Sequence, residues 1–153
     1  TLELSSAASD VYKRQHHFEG VVERGDMRQI IKRLKSGRAM WYAADQDYGR
    51  KHSVFAPFFG IATATITVSS RLAERNDSPV LMLHQLRDIH SRTWTLRFSP
   101  VLTDFAQGDL ESDATALNQM LESSLRQVPE QYLWMHRRFK TRPQGEDSFY
   151  RKG

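Results

Sequence analysis

Two carboxylates and three basic side chains fall close together in the first third of the chain. Asp45 and Asp47 lie two residues apart, and Arg50, Lys51 and His52 follow at once. In an extended backbone, residues two apart point to the same side, so the carboxylates can share a proton, a cation or a row of hydrogen-bond donors. The basic triplet can meet phosphate. The alternatives are turn-forming aspartates and a solvated basic loop.

An apolar run must position these side chains. Residues 39–43 read Ala-Met-Trp-Tyr-Ala, which predicts a buried strand that ends where Asp45 and Asp47 begin. Ligand sites in open α/β sheets lie beyond such strand ends. We therefore take residues 41–60, called the central segment below, as the candidate functional site.

The stretch before the central segment is predicted to be a helix. Asp26 can cap it and Gly37 can end it. Its apolar residues recur at helical spacing, and they are Met27, Ile30, Ile31 and Leu34. Six basic residues and one acidic residue lie between positions 24 and 38, and a solvated outer face is one explanation for them.

The rest of the chain predicts an α/β fold with a mixed central sheet flanked by helices. The predicted elements are a helix over residues 63–74, a buried strand over 80–86, a half-exposed strand over 93–98, a polar surface loop over 103–113, a helix capped near Asp113, and a short helix from Pro129 to about Met135.

Composition limits the class of protein. The chain has 153 residues, 39% of them hydrophobic, which is enough for one domain with a core. The net charge of +4 favours an anionic partner. There are no cysteines and no metal-ligand spacing among the six histidines, so we expect neither a disulfide nor a metal site. No apolar run reaches the roughly 18 residues of a membrane-spanning helix, and the start does not resemble a signal peptide.

Residues 5–15 read Ser-Ser-Ala-Ala-Ser-Asp-Val-Tyr-Lys-Arg-Gln, which resembles the in-frame translation of a transposon-type sequencing adaptor. Segments of that kind are excluded from reasoning about a fold. The alternative is a short helix or a flexible polar tail. We expect an artefact, with residues 1–4 and the chain from His16 onward belonging to one gene.

Two segments together resemble the bacterial lipid A late acyltransferases, which are lauroyl and myristoyl transferases of the lysophospholipid acyltransferase superfamily. The first lies in the central segment, where residues 45–49 read Asp-Gln-Asp-Tyr-Gly and residues 54–60 read Val-Phe-Ala-Pro-Phe-Phe-Gly. The second, called the C-terminal segment below, is residues 129–143, Pro-Glu-Gln-Tyr-Leu-Trp-Met-His-Arg-Arg-Phe-Lys-Thr-Arg-Pro. The resemblance covers roughly residues 20–150.

The resemblance implies an α/β acyltransferase fold behind an N-terminal membrane-associated helix. It also implies a reaction that moves an acyl chain from acyl carrier protein to a hydroxyl of the lipid A precursor, without a cofactor. The family's catalytic block is H-x-x-x-x-D/E, in which His is the general base and the carboxylate orients it. Residues 1–4 resemble the end of this block, so Glu3 joins Asp45 and Asp47 as a candidate catalytic residue. The His would precede Thr1, so we expect a chain truncated at its N-terminus and inactive as written.

The resemblance also assigns binding roles. An anionic saccharolipid acceptor, an acidic carrier protein and the membrane surface are the implied partners, at the cytoplasmic face of the bacterial inner membrane. The candidate substrate-binding residues are Arg24, Arg50, Lys51, His52, Arg137 and Arg138. The candidate acyl-chain pocket is Trp41, Phe55, Phe58 and Phe59, for which ordinary core packing is the alternative.

The domain organisation follows from these interpretations. Residues 1–4 are a remnant of the catalytic block, 5–15 the adaptor-like insert, 16–143 a partial acyltransferase domain and 144–153 a flexible tail. A non-catalytic membrane-surface protein and a basic nucleic-acid-binding module are the rival classes. No helix-turn-helix, zinc or RNA-binding motif accompanies the charge, so we expect no nucleic acid.

Overall fold

A computed structural model describes residues 20, 22–23 and 25–150. The chain divides into two compact units, one ending at Met40 and the other beginning at Trp41. Glu3, Arg24 and the adaptor-like residues 5–15 lie outside the described residues, so their predicted roles stay predictions. No helix in the described part of the chain is long and apolar enough to cross a membrane.

The first unit contains helix α1, Met27–Lys35. The Asp26 carboxylate caps it by accepting a hydrogen bond from the Gln29 amide at 3.0 Å. Gly37 follows the last turn with a φ of +75°, a conformation that suits glycine. Both ends of the helix were predicted from the sequence and are confirmed.

The second unit begins with an antiparallel hairpin of strands β1, Ser53–Phe58, and β2, Ile61–Ile66. The two-residue turn between them, Phe59 and Gly60, has positive φ at both positions, as in the turns that match strand twist. The helix predicted over residues 63–74 is therefore wrong in its first part. The β-branched Ile and Thr residues of 61–67 favour a strand there, and helix α2 spans only Val68–Asn76.

A second antiparallel hairpin joins strands β3, Leu83–Asp88, and β4, Thr93–Phe98. The bounds predicted for β4 are confirmed. The strand predicted over residues 80–86 starts later, at Leu83, and it is only partly buried.

The described residues thus form two separate two-stranded sheets rather than one central sheet. The mixed α/β character of the fold is confirmed. Residues 39–43 form no strand, and Trp41 is 54% exposed. An apolar run becomes a strand only where another strand satisfies its backbone, and neither hairpin pairs with this run.

Helix α3, Leu110–Leu125, packs against β1. Asp109 caps it by accepting hydrogen bonds from the amides of Glu111 at 3.1 Å and Ser112 at 3.0 Å. The cap was predicted near Asp113, and it lies four residues earlier, at Asp109. Asp113 is buried one turn further on, where its carboxylate accepts from the Ala106 amide at 2.9 Å.

The core of the second unit includes a cluster of Ala73, Phe105 and Leu117. After α3, the chain forms two 3₁₀ turns, Pro129–Gln131 and Trp134–His136, in place of the single short helix predicted there. Pro129 occupies the first turn as predicted, where its missing N–H costs nothing.

Candidate functional site

The buried carboxylate of Asp47 joins the central segment to the C-terminal segment. Its Oδ1 accepts hydrogen bonds from the Gly49 amide and the Thr141 hydroxyl, both at 2.8 Å. Its Oδ2 accepts from the Thr141 amide, also at 2.8 Å. Both oxygens accept hydrogen bonds from the chain. This carboxylate therefore links the central segment to Thr141, which lies 94 residues further along the chain.

Arg138 is the largest fully buried side chain of the described residues, with 1% of its surface exposed. Its Nη1 donates to the Ala64 carbonyl at 2.6 Å, and its Nη2 donates to the Thr65 hydroxyl at 3.0 Å and to Asn118 Oδ1 at 3.2 Å. Its guanidinium carbon lies 5.4 Å from the centre of the Phe58 ring. Arg138 was predicted to bind substrate, but its guanidinium is buried and hydrogen-bonded within the fold.

Asn118 completes a buried polar network, which consists of Arg138, Asn118 and Thr65. The Asn118 amide nitrogen donates to the Pro57 carbonyl and to the Thr65 hydroxyl, both at 3.0 Å. The network therefore connects both strands of the first hairpin, helix α3 and the C-terminal segment. Neither Asn118 nor Thr141 was predicted from the sequence. Asn118 follows the apolar Leu117 and Thr141 lies between two basic residues, and neither position identifies a distant partner.

Tyr132 provides a second link between the two segments. Its hydroxyl donates to the main-chain carbonyl of Asp45 at 3.1 Å. Burial, together with the Asp45 carboxylate, raises the pKa of Tyr132 to about 12, although Arg138 acts in the opposite direction. Tyr132 therefore keeps its proton at neutral pH and serves as a hydrogen-bond donor.

The charge of Arg138 is balanced by its neighbours rather than by a single ion pair. Burial lowers the pKa of Arg138 from its ordinary value, while Tyr132, Asp47 and Asp45 act to raise it. A guanidinium stays protonated in proteins, so this site holds a fixed positive charge. With Asp47 fully hydrogen-bonded, the arrangement is suited to positioning the segments rather than to transferring protons.

Phe58 lies at the centre of an aromatic cluster and is completely buried. Ring centroids of Phe59, Phe139 and Tyr132 lie 4.8, 5.8 and 6.2 Å from that of Phe58. The other two predicted pocket residues are placed differently. Trp41 is largely exposed, and Phe55 lies beneath the guanidinium of Arg50 at 5.7 Å.

The remaining basic candidates within the described residues lie on the surface. Arg50, Lys51 and His52 form one exposed 3₁₀ turn. The Arg50 guanidinium donates to the main-chain carbonyl of Arg142, which places this turn beside the C-terminal segment. Arg137 is also exposed. These side chains are open to solvent, and their predicted role in binding stays a prediction.

The residues after the C-terminal segment contact it, although they were predicted to be a flexible tail. Arg142 pairs with Glu146, and its guanidinium lies 4.4 Å from the centre of the Phe149 ring. The Tyr150 hydroxyl accepts a hydrogen bond from the Phe139 amide at 3.3 Å. Residues 144–150 therefore have defined neighbours within the second unit.

Known proteins similar to this chain belong to the family that the central and C-terminal segments resemble. The sequence model for the family described as bacterial lipid A biosynthesis acyltransferase matches residues 11–141. The chain is 36% identical over 138 residues to the lipid A biosynthesis palmitoleoyltransferase of Escherichia coli (strain K12), an alignment that covers 90% of this chain and 45% of that protein. It is 35% identical over 133 residues to the lipid A biosynthesis lauroyltransferase of the same organism, covering 86% of this chain and 44% of the relative.

A third relative extends the same pattern. The lipid A biosynthesis myristoyltransferase of Escherichia coli (strain K12) is 29% identical over 126 residues, which cover 82% of this chain and 39% of the relative. The chain thus spans a little under half the length of the curated relatives it matches. The family model covers most of the 153 residues, including the central segment and residues 129–141 of the C-terminal segment. The chain belongs to the bacterial lipid A biosynthesis acyltransferase family.

Proposed function

We propose that this protein serves in the transfer of an acyl chain from acyl carrier protein to a hydroxyl of a lipid A precursor, at the cytoplasmic face of the bacterial inner membrane. The observation that carries the proposal is the family match over residues 11–141, which contains the central segment and residues 129–141 of the C-terminal segment, including Asp47 and its partner Thr141. The relatives are named as lipid A palmitoleoyl- and lauroyltransferases.

In this proposal the described residues supply the scaffold of the site. The hydrogen bonds of Asp47 and Tyr132 hold residues 45–49 in place against the C-terminal segment. A loop that is held in this way loses less conformational entropy when a substrate binds, and so it favours a fixed acceptor position.

The exposed basic groups then meet the charged partners. Lys51, His52 and Arg137 lie open to solvent, where phosphate groups of the acceptor and acidic side chains of the carrier protein can approach. Arg138 has no such role in this proposal, because its guanidinium is already bound by three acceptors of the chain.

The chain as written lacks the general base that the resemblance requires. None of its six histidines is followed five residues later by Asp or Glu, the spacing of the H-x-x-x-x-D/E block. Without a base to take the proton from the acceptor hydroxyl, attack on a thioester is slow. We therefore propose that the 153-residue chain alone does not transfer acyl groups.

Two assays test the proposal. The first incubates the purified 153-residue chain with acyl-acyl carrier protein and a lipid A precursor, and mass spectrometry follows the acylated product. We expect no turnover, and turnover by this chain would overturn the proposed inactivity.

The second assay uses a chimera, in which residues 25–150 replace the matching segment of the Escherichia coli palmitoleoyltransferase. We expect the chimera to acylate the precursor. A matched chimera with the relative's catalytic His replaced by Ala is the control and should be inactive. A chimera that is folded by circular dichroism yet yields no product would contradict the proposed function.

A further inference from the structure

The β3–β4 hairpin presents a row of large apolar side chains to solvent. Trp94, Leu96 and Phe98 alternate along β4 and so point to one face of the hairpin. They are 58%, 56% and 66% exposed. Contiguous exposed apolar surface of this kind marks interaction sites in folded proteins.

The opposite face of the hairpin lies toward helix α3. His84, Leu86 and Arg97 line a shallow cavity of about 260 Å³ together with Met120 and Ser123 of helix α3. One face of this two-stranded sheet is therefore directed toward helix α3. The apolar row lies on the other face.

The charge on the exposed face is positive. The strand register places Arg87 opposite Trp94, and its guanidinium lies 5.5 Å from the centre of the Trp94 ring. The Gln131 side chain holds the main chain of Arg87 by two hydrogen bonds, at 2.8 and 2.9 Å, which fixes this edge of the hairpin. The one acid of the two strands, Asp88, alternates to the other face of β3.

The turn between the strands adds positive charge at one end of the apolar row. Arg92 is exposed there. The exposed Asp88 carboxylate, on the opposite face, accepts from the amides of His90 at 2.8 Å and Ser91 at 3.2 Å. The hairpin face thus combines two aromatic rings, one Leu and nearby guanidinium groups, and no carboxylate of the two strands lies on it.

We propose that this hairpin face docks the protein on the surface of an anionic lipid bilayer. Trp94, Leu96 and Phe98 enter the headgroup region, where an amphipathic indole is favoured and apolar side chains leave water. Arg87 and Arg92 meet lipid phosphates at the same depth. The row spans four residue steps, about 13 Å at about 3.3 Å per residue, which suits shallow insertion and not passage through the bilayer.

The charges favour a bilayer over a second copy of the chain as the occupant. Two hairpin faces brought together would place like-charged guanidinium groups against each other, which is unfavourable, whereas anionic headgroups are complementary to them. The inference goes beyond the proposed reaction, since docking needs neither an acyl donor nor a general base. A failure of acyl transfer therefore leaves it intact, and a failure of docking leaves the reaction intact.

Co-sedimentation of the 153-residue chain with vesicles tests the proposal. The vesicles contain equal parts of phosphatidylglycerol and phosphatidylcholine, and pure phosphatidylcholine vesicles serve as the uncharged comparison. We expect binding to the anionic vesicles. The triple variant Trp94→Ser/Leu96→Ser/Phe98→Ser should bind at least about tenfold more weakly, because it removes the inserted apolar surface.

A pair of arginine variants tests the orientation of the hairpin. Arg87→Gln should weaken binding to anionic vesicles by about fivefold, the effect expected for one guanidinium near a charged membrane. Arg97→Gln is the matched control, because it removes an arginine of the same hairpin from the opposite face, and it should leave binding almost unchanged. Equal losses in the two variants would overturn the proposed orientation.

Tryptophan quenching locates the contact directly. The chain has three tryptophans, so Trp41→Phe/Trp134→Phe leaves Trp94 as the only one. On binding to vesicles with brominated acyl chains, Trp94 fluorescence should shift to the blue and be quenched. Vesicle binding with an unquenched Trp94 would overturn the proposal. So would an absence of binding by the folded chain, or dimerisation in solution that the triple Ser variant abolishes.

Discussion

Asp47 acts on the fold through the donors that surround its carboxylate. Replacing it by Asn keeps the shape but turns one accepting oxygen into an N–H group, which then faces a donor of Gly49 or Thr141. We expect Asp47→Asn to lower the free energy of unfolding by about 1–3 kcal/mol, the cost of leaving buried partners unsatisfied. Urea denaturation followed by circular dichroism measures it.

Asp45→Asn is the matched control for this variant. Asp45 is linked to Tyr132 by its main-chain carbonyl, which the substitution keeps. Its effect on the free energy of unfolding should be clearly smaller. Equal decreases in the free energy of unfolding for the two variants would contradict the proposed role of Asp47 in linking the two segments.

Arg138 should contribute more to stability than its exposed neighbour Arg137. Arg138→Met keeps the apolar stem but leaves the Ala64 carbonyl and Asn118 Oδ1 without their donors. We expect a loss on the order of 2–3 kcal/mol in the free energy of unfolding. Arg137→Met removes the same charge from the exposed neighbour and should stay within about 0.5 kcal/mol. Thermal and urea unfolding of both variants decide the point.

The buried hydroxyl of Tyr132 should be visible in an alkaline titration. Its pKa is raised to about 12, above the ordinary 10.0 of tyrosine, so the folded state favours the protonated form. The stabilisation it contributes is fully present below pH 10 and is lost as the pH rises toward 12. Absorbance near 295 nm should therefore show a late ionisation phase that Tyr132→Phe removes. A wild-type titration that is complete by pH 11 would contradict this environment.

At the residue scale, the sequence could point to Asp47 but not to its partners. Two aspartates at the end of an apolar run predict a functional loop. The Thr141 partner lies 94 residues away, and no local pattern identifies it. Arg138 shows the converse, since a dense basic run is typical of a solvated surface, yet one member is drawn inward by Ala64, Thr65 and Asn118.

At the scale of elements, local rules succeeded where a cap or strict alternation marked the sequence. The start of α1 and the bounds of β4 follow from Asp26 and from the alternation of residues 93–98. The misplaced helix over residues 63–74 shows the opposite case. Over a short window the Ile, Ala and Thr residues there fit the period of a helix or of a strand. Pairing with β1 makes this stretch a strand.

The tight turn of the first hairpin gives a test at the same scale. Gly60 has a φ of +76°, and a Cβ added there would meet no atom within 4 Å. Any cost of Gly60→Ala is therefore conformational, about 1–2 kcal/mol for a left-handed alanine. Gly25→Ala is the control, since its added Cβ also meets open space and its φ lies outside the left-handed region. Chemical denaturation should show a clear loss for Gly60→Ala alone.

At the scale of the whole molecule, the two resembling segments predicted the family but not the sheet. The order of elements indicated an α/β fold, and the described residues form two separate hairpins beside helix α3. Sheet membership depends on pairing between distant strands, and alternation along one strand says nothing about its neighbour. Family motifs avoid this difficulty, because they identify residues directly and need no pairing to be known.

The net charge of +4 predicts that electrostatic attraction assists binding of an acidic carrier protein. In the active chimera, Lys51→Gln/Arg137→Gln removes two exposed cations, one from the central segment and one from the C-terminal segment. We expect the KM for acyl-acyl carrier protein to rise by about three- to tenfold at low salt, with little change at high salt, because screened charges no longer steer the encounter. The value of kcat should change little.

Arg28→Gln/Arg75→Gln is the matched control in the same chimera. It removes the same charge from two other exposed arginines, one on α1 and one on α2. If net charge alone draws in the carrier, both double variants raise KM equally. If the basic groups of the two segments form the docking surface, only Lys51→Gln/Arg137→Gln does so. Steady-state kinetics over a range of salt concentrations separates the two possibilities. Equal increases in KM would contradict a local docking surface.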